Sequence, residues 1–199
     1  MEPDFHKERR TILVSGAGIA GLASALFIAR AGYRVEIFEQ APKIDPIGSG
    51  LQLSPNAMHV LAALGLEQQI KSVATAPSAI DIRSGHSARQ ITQIPLGVPI
   101  IEKYGQPYLV IHRADLQKIL FSACQHEADI EIHQGVLVRD AVAHPNGITL
   151  IGDNKHGTTN YRGIALIGAD GVNSAIRTEC FDCKGAASTG TVALRALIN

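Results

Sequence analysis

Residues 11–39 read TILVSGAGIAGLASALFIARAGYRVEIFE, and the way this stretch divides decides the fold. Thr11–Ser15 is a short β-branched run of the kind that fills a buried parallel strand. It is interrupted at once by Gly16, Gly18 and Gly21. Behind them Leu22, Ala25, Leu26 and Ala29 recur at helical spacing, and Gly32 stands where a helix stops. Arg34–Phe38 then alternates as a second strand and ends in Glu39. The stretch predicts a βαβ unit with a Gly-x-Gly-x-x-Gly turn between strand and helix.

A competing parse is a membrane or export segment, because Thr11–Ala29 carries no charge and comes after Lys7, Arg9 and Arg10. The apolar run exceeds a signal-peptide core, and its three glycines weaken a lipid-spanning helix. Arg34–Glu39 then alternates like a strand instead of opening a mature terminus. The strand–turn–helix–strand parse is therefore preferred, with no membrane role and a cytoplasmic location expected.

The glycines have distinct tasks in such a turn. Gly16 turns the chain out of the strand, Gly18 lets backbone approach a pyrophosphate, and Gly21 lets helix and sheet pack closely. The helix start at Ile19 and Ala20 aims N–H groups and the positive dipole end at the phosphates. Glu39 stands roughly twenty residues on, where a carboxylate can accept both hydroxyls of an adenosine ribose and repel a 2′-phosphate. Gly16 and Gly21 also fit half of a P-loop, but Leu22 and Ala23 occupy the places of Lys and Ser/Thr. A dinucleotide is expected, not a nucleoside triphosphate.

The whole chain agrees with this. It has 199 residues, 46% hydrophobic and 18% charged, with zero formal net charge. That length buries roughly 70% of its unfolded surface without disulfide or metal. Zero net charge removes the electrostatic case for nucleic acid or an anionic membrane. Three cysteines, an odd number, argue against a secreted disulfide framework. Cys180-Phe-Asp-Cys183 is a single CxxC outside a thioredoxin context, and the histidines show no metal-binding spacing. No G-x-S-x-G hydrolase elbow occurs.

Further along, Ser54-Pro55 reads as an N-cap with Pro at the first helical position, and Gly65 closes that helix. Gly48 and Gly50 precede it and leave the backbone free to approach a flat ring. Arg113 opens an amphipathic helix carrying Leu116, Ile119, Leu120 and Ala123. A cation there opposes the dipole unless an anion pairs with both; the plainer alternative is a surface Arg paired with Glu102 or Asp115. Asp170-Gly171 comes after a strand expected to be buried, Ile164–Gly168, at the carboxyl end of a parallel sheet. Asp170 can also cap the short helix after it. Pro145-Asn146-Gly147 reads as a hairpin turn, and Asp153–Gly157 as a polar turn, not a domain linker.

Three of these segments together carry a family likeness. Gly48–Ala57 running on to Leu66, His112-Arg113-Ala-Asp115-Leu116, and Ala165–Arg177 with Asp170-Gly171, Ser174 and Arg177 resemble class A FAD-dependent aromatic monooxygenases of the salicylate-hydroxylase-like branch. The resemblance implies a Rossmann-like α/β FAD-binding domain of the glutathione-reductase/p-hydroxybenzoate-hydroxylase type, with part of a β-rich substrate domain. It implies FAD and NAD(P)H as cofactors, dioxygen as oxidant and a small aromatic acid as substrate. The stretch at Gly50 would pass beside the isoalloxazine, Arg113 would meet the FAD, and Asp170 would reach its ribose. With the glycine turn, the expected cofactor contacts are Gly16, Gly18, Ile19, Ala20, Gly21, Glu39, Gly50, Arg113 and Asp170. No residue is singled out as catalytic.

Departures from the pattern shape the remaining expectations. Gln40 stands where many relatives carry Arg after the ribose acid, and the later Gly-Asp flavin motif does not occur. Residues 1–180 are expected to form the FAD-binding domain, with strands inserted at 78–101, and 181–199 to begin a truncated substrate domain. Val192, Leu194, Ala196 and Ile198 alternate as a terminal strand whose unpaired edge favours a homo-oligomer. Two other readings compete: an FAD- or NAD-dependent dehydrogenase, and a non-catalytic nucleotide-binding fragment.

Overall fold

The computed structural model describes residues 10–43, 50–181 and 183–193. In chain order the elements are β1 (Thr11–Ser15), α1 (Ile19–Arg30), β2 (Arg34–Glu39), β3 (Gly50–Leu53), α2 (Pro55–Ala63) and α3 (Glu67–Val73). Next come β4 (Ala79–Arg83), β5 (Gln90–Pro95), α4 (Val98–Tyr104), β6 (Leu109–His112) and α5 (Arg113–Gln125). The last are β7 (Ile130–Gln134), β8 (Leu137–His144), β9 (Gly147–Asn154), β10 (Gly157–Gly163), β11 (Ala165–Gly168) and α6 (Ala175–Phe181). The described residues fall into two compact units, one of residues 10–43, 120–181 and 183–193, the other of 50–119.

The first unit is built on a four-stranded parallel sheet in the order β11-β1-β2-β7. The expected βαβ unit is its centre. Leu13 and Val14 on β1 and Val35 and Ile37 on β2 are fully buried, as a central parallel pair requires. On α1 the stripe Leu22, Ala25, Leu26 and Ala29 is buried as its spacing predicts. A three-stranded antiparallel sheet, β10-β9-β8, comes after β7, with its turns at the two polar stretches identified from sequence. Leu13, Phe38, Val136, Val138, Leu150 and Ile176 join the two sheets and α6 in one apolar cluster. Phe38 stacks on His133 with ring centroids 4.9 Å apart, and Tyr161 tilts against both.

One expectation needs correction here. Ile164–Gly168 is not a buried strand: Ile164 is exposed, and β11 begins at Ala165 with both ends exposed. The reason is its place at the sheet edge, where β1 is its only strand neighbour among the described residues. Apolar composition alone does not separate an edge strand from a central one.

The second unit holds two small antiparallel pairs. In β3–β6, Gly50 lies opposite His112, and in β4–β5, Ile80 lies opposite Ile94. The hairpin lies within residues 78–101, where sequence predicts strands. Pro55 opens α2 and Gly65 comes just after it, but the Ser54 hydroxyl donates to Asn56 Oδ1 and caps no backbone amide. Met58, Leu61, Leu64, Leu66 and Ile70 are the buried apolar residues of α2, α3 and their connection. Thr191–Ala193 carries no strand, and the rest of the expected terminal strand lies outside the described residues, as does Gly48.

Candidate functional site

The glycine turn sits at the carboxyl end of β1, a central strand, which is where ligands meet open parallel sheets. Gly16 has φ +100°, a conformation that L side chains avoid, and a Cβ there would lie 2.4 Å from the Ala169 carbonyl oxygen. At Gly21 a Cβ would lie 1.9 Å from the Gly16 carbonyl oxygen. Only glycine therefore lets α1 begin this close to the turn. Gly18 differs, because a Cβ there meets nothing within 4 Å. Its backbone faces open space, which is what close approach by a ligand requires. Gly18 is also the N-cap of α1, so the first-turn amides of Ile19, Ala20 and Gly21 have no acceptor within the helix.

Backbone bonds tie this turn to its neighbours. The Gly16 amide donates to the Phe38 carbonyl oxygen at 2.7 Å, and the Ala169 amide donates to Ser15 O at 2.8 Å. Glu39, half-buried at the end of β2, accepts from two backbone amides: Ala17 N–H to Oε2 and Ala41 N–H to Oε1, both at 2.9 Å. A carboxylate has about four lone-pair sites, so about two remain for hydroxyl donors once these amides are bonded.

Asp170 lies just past β11, beside the turn, and its Cα is 3.1 Å from where a Gly16 Cβ would stand. Its carboxylate accepts from the Ser174 hydroxyl and from the Ile176 amide at 3.2 Å, and Ser174 Oγ in turn accepts from the Arg177 amide at 3.0 Å. The helix-capping role considered from sequence is present. One carboxylate oxygen faces the hydroxyl and the other the helix start. Arg177 donates to the Val172 carbonyl, which folds the Asp-Gly loop back on the helix.

The fold thus brings Gly16, Gly18, Gly21, Glu39 and Asp170 together in the first unit. Gly50 and Arg113 belong to the second unit, where Gly50 pairs with His112, the residue before Arg113. Arg113 is exposed at the start of α5, and among the described residues neither Glu102 nor Asp115 pairs with it. The Ala17 and Ala41 amides had no signal in sequence, since every residue but proline carries an N–H.

Two other groups lie apart from this edge. Glu36, Glu131 and His133 place ligand atoms within 4.8 Å of one another on β2 and β7. Arg34 Nη2 already bonds Glu131 at 2.6 Å and Arg34 Nε lies 4.0 Å from Glu36, so Arg34 sits between two carboxylates that face each other across the two strands. Cys124 is fully buried on α5, its thiol 3.5 Å from the Leu22 carbonyl oxygen. Burial, helped by the nearby Glu127 charge, pushes that thiol up to about 12. Cys183 is exposed and free.

Comparison with known proteins gives these features a context. The family model described as FAD binding domain matches residues 9–194. The chain is 36% identical over 188 residues to 3-hydroxybenzoate 6-hydroxylase of Polaromonas naphthalenivorans (strain CJ2), covering 94% of this chain and 46% of that protein. It is 33% identical over 186 residues to 6-hydroxynicotinate 3-monooxygenase of Bordetella bronchiseptica, covering 94% and 47%. The chain spans about half the length of the curated relatives it matches. Among solved structures, p-nitrophenol 4-monooxygenase PnpA from Pseudomonas putida DLL-E4 superposes with TM-score 0.77 at 20% identity over 86% of this chain and 44% of its own, a likeness of fold. Klebsiella pneumoniae HpxO complexed with FAD and uric acid gives TM-score 0.71 at 26% identity over 89% and 43%. No helix among the described residues is long and apolar enough to cross a membrane.

Proposed function

The chain belongs to the FAD binding domain family, and from that premise we propose that it holds FAD as the N-terminal portion of a flavoprotein monooxygenase that hydroxylates an aromatic acid with NAD(P)H and dioxygen. The observation that carries the reading is the turn itself. Gly16 and Gly21 leave no room for a side chain, whereas Gly18 opens onto free space in front of helix amides that lack intrahelical acceptors. A phosphate-bearing ligand fits such a cradle. The spare lone pairs of Glu39 fit a ribose diol.

In this assignment Gly16, Gly18 and Gly21 shape the turn, while the amides of Ile19 and Ala20 face the pyrophosphate. Glu39 accepts from the adenosine ribose. Asp170 serves the cofactor's ribose side through the oxygen shared with Ser174, and Gly50 and Arg113 supply further contacts. FAD, when bound, supplies the redox chemistry; these residues bind and orient it and keep water from its phosphates. The aromatic acid is proposed because 3-hydroxybenzoate 6-hydroxylase and 3-amino-4-hydroxybenzoate 2-monooxygenase are among the relatives. Strands β4 and β5 are proposed as the first part of a substrate domain, and a homo-oligomer through residues 191–198 remains part of the proposal.

A second reading has its own support. Because the chain spans about half the length of its relatives, these residues alone would bind the adenosine half without turnover. Visible absorption of the purified chain after gel filtration, with and without added FAD, separates the two. A retained flavin band that is accompanied by NADH oxidation with aromatic acids supports the first. A colourless protein that still binds ADP supports the second, and a protein that binds neither refutes both.

A further inference from the structure

We infer that Glu39 is a positioning residue for the phosphate turn, in addition to any contact with ribose, because its carboxylate links the glycine turn to the turn after β2. The inference rests on the cofactor reading for what the turn holds, but the link itself stands on geometry alone.

The two carboxylate oxygens are divided between the two turns. Oε2 takes the Ala17 amide, from the middle of Gly16-Ala17-Gly18, and Oε1 takes the Ala41 amide, two residues beyond Glu39. The second turn is itself anchored, because the Gly135 amide donates to Ala41 O at 3.1 Å and the Val136 amide donates to Glu39 O at 2.9 Å. Glu39 is therefore held on its backbone side by the segment after β7, and holds Ala17 on its side-chain side. With the Gly16 amide on Phe38 O, two successive peptide units of the glycine turn are fixed to the end of β2. Gly18 comes directly after them, so the Ala17 bond helps to orient its peptide where the proposed phosphates would lie.

Both partners of Glu39 are donors, and that makes the idea separable from a ribose-only role. A glutamine at position 39 has one acceptor oxygen and one NH2 donor. Whichever way its amide is turned, the NH2 faces one of the two backbone N–H groups. A ribose diol tolerates the change, because hydroxyls both donate and accept. Glu39→Gln should therefore disturb the turn nearly as much as Glu39→Ala, although it could still serve a ribose.

The test uses amide hydrogen exchange and inorganic pyrophosphate, a probe without ribose, on the whole chain. In the unmodified protein without ligand, the Ala17 and Ala41 amides should exchange slowly. In Glu39→Gln and Glu39→Ala both should exchange roughly tenfold faster or more, with Leu13 and Ile37 unchanged as a sign that the sheet is intact. Pyrophosphate affinity should fall by about tenfold in both variants. Fast exchange of Ala41 in the unmodified chain, or a Glu39→Gln protein with unchanged exchange or pyrophosphate affinity, overturns the inference. If the unmodified chain binds no pyrophosphate, the cofactor reading fails, while the exchange rates still decide whether the link exists.

Discussion

Alanine at Gly18 should cost less stability than alanine at Gly21, and only the first should act through the ligand. Gly18 has φ −74°, which alanine adopts without strain, and its added methyl would meet nothing within 4 Å. Gly18→Ala should lower stability by no more than about 1 kcal/mol, because alanine is a poor N-cap while the freedom lost by the unfolded chain offsets part of that cost. For a chain of this size that is at most a few degrees in Tm. Gly21→Ala gains about 1 kcal/mol of helix propensity but places a methyl 1.9 Å from the Gly16 carbonyl oxygen. Relief requires the backbone to move by more than about 1 Å at a turn pinned by hydrogen bonds at Ser15, Gly16 and Ala17, and overpacking of this kind costs about 1–3 kcal/mol or more. Since the obstacle is backbone, the clash wins, and Tm should fall by several degrees. Thermal unfolding and ADP titration read both effects. Gly18→Ala should bind ADP at least about tenfold more weakly, a loss of roughly 1.4 kcal/mol, although its fold is the less disturbed of the two. A Gly18→Ala protein that binds ADP within twofold of the parent would show that the turn does not face the phosphates. A Gly21→Ala protein of unchanged Tm would refute the steric argument.

The same geometry sets other outcomes. In the folded chain a thiol reagent should modify Cys183 rapidly and leave Cys124 untouched until the protein unfolds, which mass spectrometry of the labelled peptides would settle. Because folding raises the Cys124 thiol from 9.0 to about 12, its contribution to stability is complete below about 9 and lost as pH rises from there towards about 12; Cys124→Ala should flatten that part of an alkaline unfolding curve. Asp170→Ala removes the acceptor of the Ser174 hydroxyl and the Ile176 amide, and should cost about 1 kcal/mol of stability by denaturant unfolding. Arg34→Ala leaves Glu36 and Glu131 directly opposed on neighbouring strands, yet the side chains are solvent-accessible, so the loss should stay within about 1 kcal/mol and shrink in high salt.

The parts of the fold legible in sequence are those in which a local pattern has one physical solution. Three glycines between a β-branched run and an apolar helical stripe admit little besides a strand–turn–helix, and β1, α1 and β2 appear within a residue of where the pattern ends. The β8–β9 hairpin is equally local, being set by Pro145-Asn146, while for β9–β10 only the polar turn before Gly157 was legible and not the pairing. What escaped depends on distant segments. The edge position of β11 is decided by pairing with a strand at the other end of the chain, so its apolar residues gave no warning of exposure. The Phe38, His133 and Tyr161 stack joins three strands that no spacing connects. At the candidate site Glu39 was legible as an acid at a ribose distance, but its bonds to main-chain amides were not, since the side chains of Ala17 and Ala41 have no part in them. Asp170 was legible as a helix cap because the helix it caps is local.

The pairing of Ile12 with Ala165 sets an order of events during synthesis. β1 and β2 leave the ribosome within some thirty residues of each other, but β11 comes about 150 residues after β1. At roughly 5–20 residues per second, the nascent β1 waits on the order of ten seconds with one edge open. The wall that Ala169 gives to Gly16 is absent for the same interval. A nucleotide offered to the growing chain would therefore meet an incomplete cradle until nearly the whole of this sequence had emerged. Until then the apolar edge of β1 is a natural point of engagement for a chaperone, and a pause in translation before β11 has emerged would lengthen that exposure.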